Sequence, residues 1–204
     1  MNYQGPVLLG ADHLLEDFDC GSDVLNKWLQ TKALRNQREG SSRTWVVLDD
    51  QRVVAFYASS TAVLLRGHAT KHATRNQPDP VPAMLLSRLA VDTASQWQGL
   101  AAALLKHFVL KSLEVAEVTG VRLLLVHAKD FTAQRFYPRY GFGPSAIDDM
   151  TLVLLVEDLA ANPASGRRLV RHAVPGASRV RKYRFNAGSF GGPENFVWRA
   201  PDHR

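Results

Sequence analysis

Cysteine is almost missing from this chain. Cys20 is the only one in 204 residues, so an internal disulfide and a cysteine metal cluster are both excluded. That usage fits a reducing compartment and predicts a cytoplasmic protein. Acids are scarce at one end: Pro163 to Arg204 holds two Asp/Glu against nine Lys/Arg, while the other 162 residues hold seventeen against sixteen. The net charge of +6 therefore belongs to the tail, and it is no argument for nucleic-acid binding by the nearly neutral body. No apolar run reaches about 18 residues, so no membrane span is expected. The start, Met-Asn-Tyr-Gln-Gly-Pro, lacks the basic-then-apolar order of a secretory signal. Also absent are the glycine-lysine-serine ending of a triphosphate loop and the three-glycine dinucleotide fingerprint. No serine sits in a nucleophile-elbow context, and the histidines are scattered without carboxylates at helical intervals. Triad chemistry is thereby set aside, and no metal ligands are expected.

What is present centres on Met84 to Leu105. Met84–Val91 is an apolar run broken only by Ser87 and Arg88, as in a buried strand. A polar turn, Asp92 to Gln96, follows, and Gly99 opens a helical run with Leu100, Ala103, Leu104, Phe108 and Leu110 to Leu113 on its apolar side. Strand, glycine turn and helix together aim unpaired backbone N–H groups at one spot that the helix dipole makes favourable for anions. Phosphate is the usual occupant, although the same arrangement also serves as a plain connection.

With 46% hydrophobic content, the chain can bury a core of its own and reads as one domain. Leu8–Leu15 is a first edge strand or a docking turn. Ser22-Asp23 ahead of Val24, Leu25, Trp28, Leu29 and Leu34 predicts a capped helix over Asp23–Asn36. Lys27, Lys32, Arg35 and Arg38 fall on its outer side, as a solvated face or a polyanion contact. Thr44–Leu48 and Arg52–Val63 predict a hairpin. Arg66–Pro82, polar and holding three prolines, reads as a long exposed loop, with Lys71 and Arg75 among its bases. Val121–Ala128 is a central buried strand, with His127 at its end as a base or a hydrogen-bonding brace. Asp130 or Thr132 caps a short helix, Thr132–Tyr137, stopped at Pro138 to Gly141. Strand resumes at Phe142 and over Thr151–Val156. Strands alternating with helices after a hairpin give an α/β class. Beyond Ala161 the composition shifts towards proline, glycine and arginine. There Arg179–Phe185 is an added strand or a basic arm, and Phe190, Phe196 and Trp198 are docking or stacking aromatics.

The spacing Gln96-x-x-Gly99-x-Ala101 after Leu89-Ala90-Val91 resembles the acetyl-CoA pyrophosphate loop of the GNAT acetyltransferases. Phe136-Tyr137-Pro138-Arg139-Tyr140-Gly141-Phe142 resembles that family's second signature. The sequences R-L-A-V-D, L-L-V-H-A and F-Y-x-x-x-G-F-x-P-S are similar to those of the toxin acetyltransferases of bacterial toxin–antitoxin pairs. The resemblance covers residues 8 to 160 and implies an acetyltransferase domain at 1–160 followed by an extension at 161–204. It implies a mixed, mostly antiparallel sheet with two splayed central strands and helices on both faces. Acetyl-CoA would be held by Leu89, Ala90, Val91, Gln96, Trp97, Gln98, Gly99, Leu100 and Ala101, with Tyr137 as general acid. Many members have glycine where this chain has Trp97, which either crowds the turn or stacks on the cofactor. The implied substrate is the α-amine of aminoacyl-tRNA, whose acetylation blocks translation; a small amine or a protein N-terminus is the same-fold alternative. A non-catalytic nucleic-acid-binding protein is a third. The implied partners are a ribbon-helix-helix antitoxin, operator DNA through that complex, and a second copy in a homodimer. From charge clustering, Lys27, Lys32, Arg35, Lys71, Arg75 and Arg88 are the candidates for tRNA contact.

Overall fold

A computed structural model of the chain describes residues 3–161. The segments at Arg179–Phe185 and the aromatics Phe190, Phe196 and Trp198 lie outside the described residues. Seven strands form one sheet in the order β1-β2-β3-β4-β5-β7-β6. They are β1 (Tyr3–Leu8), β2 (Arg43–Asp49), β3 (Arg52–Leu64), β4 (Val81–Val91), β5 (Leu123–His127), β6 (Gly143–Pro144) and β7 (Thr151–Leu155). Only β4 and β5 pair in parallel; the other neighbours are antiparallel. The crossover joining the parallel pair is helix α4 (Leu100–Val118), as a parallel connection requires.

Alternate strand residues point to opposite faces, and three clusters follow from that. Ala55 and Tyr57 of β3, Leu124 and Val126 of β5, and Leu152 and Leu154 of β7 pack against Leu104, Leu105 and Phe108 of α4. Their neighbours Phe56 and Ala58 face the other way, onto Trp28, Leu29 and Ala33. Leu123, Leu125, Val153 and Leu155 face that second side as well, under Ala69 and Ala73. Each fully buried leucine or phenylalanine contributes about 1.5–3 kcal/mol. Helices thus cover both faces.

Local readings hold or shift for visible reasons. The expected first helix is present as α1 (Asp23–Trp28), a π-helical turn (Leu29–Ala33) and α2 (Leu34–Arg38), with Ser22 at the cap position but making no side-chain cap bond. The first strand precedes Leu8–Leu15, which is instead a docking turn. Leu14 N–H donates to Gln51 O at 2.9 Å and Val53 N–H to Leu14 O at 3.0 Å. Arg66–Pro82 is less open than its composition predicts. It contains a 3-10 turn at Arg66–His68 and helix α3 (Lys71–Thr74), which Thr70 caps, and β4 already begins at Val81. Buried Ala69 and Ala73, four apart, anchor it. On α4, Leu110 is exposed and Ser112 is buried in its stead, its hydroxyl donating to Phe108 O at 2.8 Å. No helix among the described residues is long and apolar enough to cross a membrane.

Candidate active site

The pairing of β4 with β5 runs from Ala83↔Leu123 to Leu86↔Val126 and stops. β4 stays paired with β3 as far as Val91 but has no partner on its β5 side beyond Leu86, so a wedge opens there beside Leu89 to Val91. The turn after β4 is held by Asp92, which is 2% exposed. Its carboxylate accepts from Ala94 N–H at 3.0 Å, from Asp19 N–H at 3.1 Å and from Arg52 Nη2 at 3.0 Å. One buried side chain therefore ties the turn to the linker before α1 and to the β2–β3 hairpin. Gly99 then takes φ +83 at the cap of α4, a left-handed conformation that costs a residue with a Cβ about 1–2 kcal/mol. Nothing lies within 4 Å of an ideal Cβ there, so the backbone angle and not clearance calls for glycine. The first backbone bond of α4 is Ala103 N–H to Gly99 O at 3.0 Å. The N–H groups of Leu100, Ala101 and Ala102 are therefore left at the open end, with no acid in the first turn and no capping side chain. These are the requirements of an anion site.

The other wall comes from β5 and the segment after it. Asp130 caps α5 (Phe131–Phe136) by accepting from Ala133 N–H at 2.7 Å. α5 passes into a 3-10 turn, Tyr137–Tyr140, which Gly141 closes at φ +92. Tyr137 is 6% exposed and packs edge-on to Phe136 and Phe142 at 5.2 and 5.8 Å between centroids. Burial, and then the nearby Asp130 carboxylate, push its phenol up to about 12. It is a protonated hydroxyl at any ordinary pH.

These two walls bound a cleft of about 870 Å³. Leu89, Ala90, Val91, Gln96, Trp97, Gly99, Leu100, Ala101 and Tyr137 all line it. Gln98 does not line it, since its amide oxygen accepts from Tyr3 OH at 2.9 Å. Gln96 lines it but spends its amide N–H on Val91 O at 3.2 Å, bracing the strand end. Trp97 does not crowd the turn, because its side chain is 97% exposed. None of Lys27, Lys32, Arg35, Lys71, Arg75 and Arg88 lines the cleft. Arg88 lies over the Trp28 ring at 4.1 Å, which joins it to α1, and Arg35 pairs with Glu39 at 2.9 Å. Lys71 and Arg75 belong to the separate region of α3. His127 serves as a hydrogen-bonding brace within the sheet. It meets the Thr151 hydroxyl at 3.1 Å, opposite it in the β5–β7 register.

Sequence reasoning missed several lining residues: Cys20, Leu25, Lys129, Thr132, Ala133, Arg139 and Tyr140. Arg139 and Tyr140 lie within the tyrosine signature and were findable from it, and Lys129 lies in the turn just before its helix. Cys20 and Leu25 arrive only through the fold, and burial holds the Cys20 thiol up, so it is neutral rather than nucleophilic.

A family profile described as an acetyltransferase (GNAT) domain matches residues 40–144. A tRNA-acetylating toxin of Mycobacterium tuberculosis (strain ATCC 25618 / H37Rv) is 37% identical over 159 residues, covering 78% of this chain and 96% of that protein. The chain belongs to the GNAT acetyltransferase family. Two solved structures share the fold of this GNAT domain. AtaT complexed with acetyl-methionyl-tRNAfMet superposes with a TM-score of 0.71 at 26% identity, over 76% of this chain and 96% of that one. A mutant AtaT toxin bound to the C-terminus of the antitoxin AtaR and acetyl-CoA gives 0.65 at 25% identity, over 76% and 94%.

The cleft fits acetyl-CoA on its own geometry: an opened strand edge for an amide-bearing arm, an uncapped helix end for a pyrophosphate, and a protonated hydroxyl on the opposite wall. Acetyl-CoA supplies a thioester carbonyl that an amine can attack. Leu89 and Val91 would offer main-chain groups to the arm, and the open N–H groups of Leu100 to Ala102 would receive the negative charge. Tyr137, a protonated phenol lining the cleft, would be the group able to give a proton to the departing sulfur.

Proposed function

We propose that this chain moves the acetyl group of acetyl-CoA onto the α-amine of an aminoacyl-tRNA and so blocks translation, as the toxin of a toxin–antitoxin pair. The observation that carries this reading is the match to a tRNA-acetylating toxin along 96% of its length, in a chain whose cleft unites the Gln96–Ala101 turn with Tyr137. Residues 1–160 are the acetyltransferase domain, and 161–204 are an extension beyond it. Leu89, Ala90, Val91, Gln96, Trp97, Gly99, Leu100 and Ala101 hold the donor, with Gln98 fastening their turn to β1 through Tyr3. Tyr137 is the general acid: the amine nitrogen bonds to the carbonyl carbon, the carbon–sulfur bond breaks, and the phenol's proton goes to sulfur while the amine's excess proton leaves to solvent.

Exposed Lys27, Lys32 and Arg35, with Arg88 behind Trp28, are one candidate contact for the tRNA backbone; Lys71 and Arg75 are a second. Non-specific phosphate contacts of this kind fix the position of a nucleic acid without reading its bases. The partner is an antitoxin of the ribbon-helix-helix class, which brings the complex to operator DNA. The working form is a cytoplasmic homodimer.

The test is incubation with radiolabelled acetyl-CoA, a pool of charged tRNAs, and uncharged tRNA as control. Label on charged tRNA alone is the expected outcome. Turnover on small amines or protein N-termini with no label on charged tRNA would replace this substrate with those.

A further inference from the structure

Trp97 is held in a conformation that does not suit it and in a place that does not shelter it. Its φ of +64 is left-handed, one of three such values at non-glycine positions among the described residues, and it strains a residue that carries a Cβ. The ring is 97% exposed, more than any other large apolar side chain among the described residues. Tryptophan ordinarily buries 150–250 Å², roughly, of largely apolar surface. The exposed ring is not needed to hold the turn. Gly99 makes its sharp bend, Asp92 and Gln96 hold its backbone, and Gln98 fastens it to Tyr3.

The surroundings say what meets the ring. Trp97 lines the same cleft as the strand edge Leu89–Val91 and the open end of α4. With the donor's amide arm along that edge and its pyrophosphate on the N–H groups of Leu100 to Ala102, the nucleoside beyond the pyrophosphate leaves the cleft by the turn that carries Trp97. A purine there has a free aromatic face, and the indole offers a second one. Strain and exposure together fit a platform completed by its ligand.

We propose that Trp97 is the stacking surface for the adenine base of the acetyl donor, which makes the turn select the nucleotide-bearing donor over its pantetheine fragment. The proposal rests on the acetyl-CoA reading above. It adds a base-binding function to a turn otherwise read only as a pyrophosphate loop.

The test uses the full chain and three proteins: unmodified, Trp97→Leu and Trp97→Phe. CoA and pantetheine are titrated separately, with calorimetry and indole emission as readouts. CoA should quench emission in the unmodified protein. Trp97→Leu should lose that quenching and bind CoA about ten-fold more weakly, the range expected for one base on one ring. Trp97→Phe should recover most of the affinity, and pantetheine should bind all three alike. Equal CoA affinity in the unmodified and Trp97→Leu proteins would overturn the stacking while leaving the donor site intact. An equal loss for CoA and pantetheine would also overturn it, by showing that the substitution acts through the turn's backbone. Failure of the unmodified protein to bind either compound would overturn the donor reading itself.

Discussion

Two buried tyrosines lie on the same side of the sheet and are both kept protonated by burial, yet only one faces the cleft. Tyr137 borders the wedge between β4 and β5. Tyr57, on β3, is fully buried against α4, where its hydroxyl meets His107 Nδ1 at 2.8 Å. Burial raises both phenols above their ordinary range, Tyr57 further than Tyr137. The difference teaches that a perturbed acid is not a catalytic acid by itself. Its proton must also face a place where a reacting atom can stand. Around Tyr57 that place is filled by Trp45, at 4.6 Å from His107, and by Phe108 at 5.9 Å from Tyr57.

Exchanging the phenols for phenyl rings sharpens this contrast most. Tyr137→Phe should lower kcat by about 100-fold or more, the scale of a general acid, with little change in acetyl-CoA affinity by calorimetry. Tyr57→Phe should leave kcat within a few-fold and cost about 1 kcal/mol in urea unfolding for its lost hydrogen bond. A catalytic loss in Tyr57→Phe equal to that in Tyr137→Phe would break the comparison.

The second effect is in pH. Burial and the Lys111 ammonium lower His107 to about 4. The folded state thus refuses a proton that the unfolded chain accepts. The stabilisation is whole above about pH 6.5 and is lost as pH falls through 4, by about 2 kcal/mol after allowing for partial exposure. Denaturation measured between these values should show that slope, and His107→Gln should flatten it. Tyr137 has no such partner and should leave the slope unchanged.

The smallest expected change is at the head of α4. Gly99→Ala forces a methyl group into φ +83 and should cost about 1–2 kcal/mol, appearing as a several-fold rise in KM for acetyl-CoA. If thermal stability falls with KM unchanged, the helix end is structural and does not hold the donor.

Much of this was written in local pattern. The apolar run into Val91, the glycine at 99 and the cap at Asp130 follow from spacing and backbone preference. So does the alternation that sends Leu124 and Val126 to one face and Leu123 and Leu125 to the other. The cysteine count, the neutral body and the basic tail needed no coordinates either. Tertiary structure decided what spacing has no access to. Where β4 parts from β5 depends on a ladder that stops at Leu86 and Val126, between strands joined through a whole helix. That Cys20 and Leu25 border the cleft, that Arg88 lies on Trp28, and that Gln98 turns to Tyr3 are contacts between segments far apart in the chain. They are selected by packing, which couples side chains by distance in space and leaves little trace in sequence order.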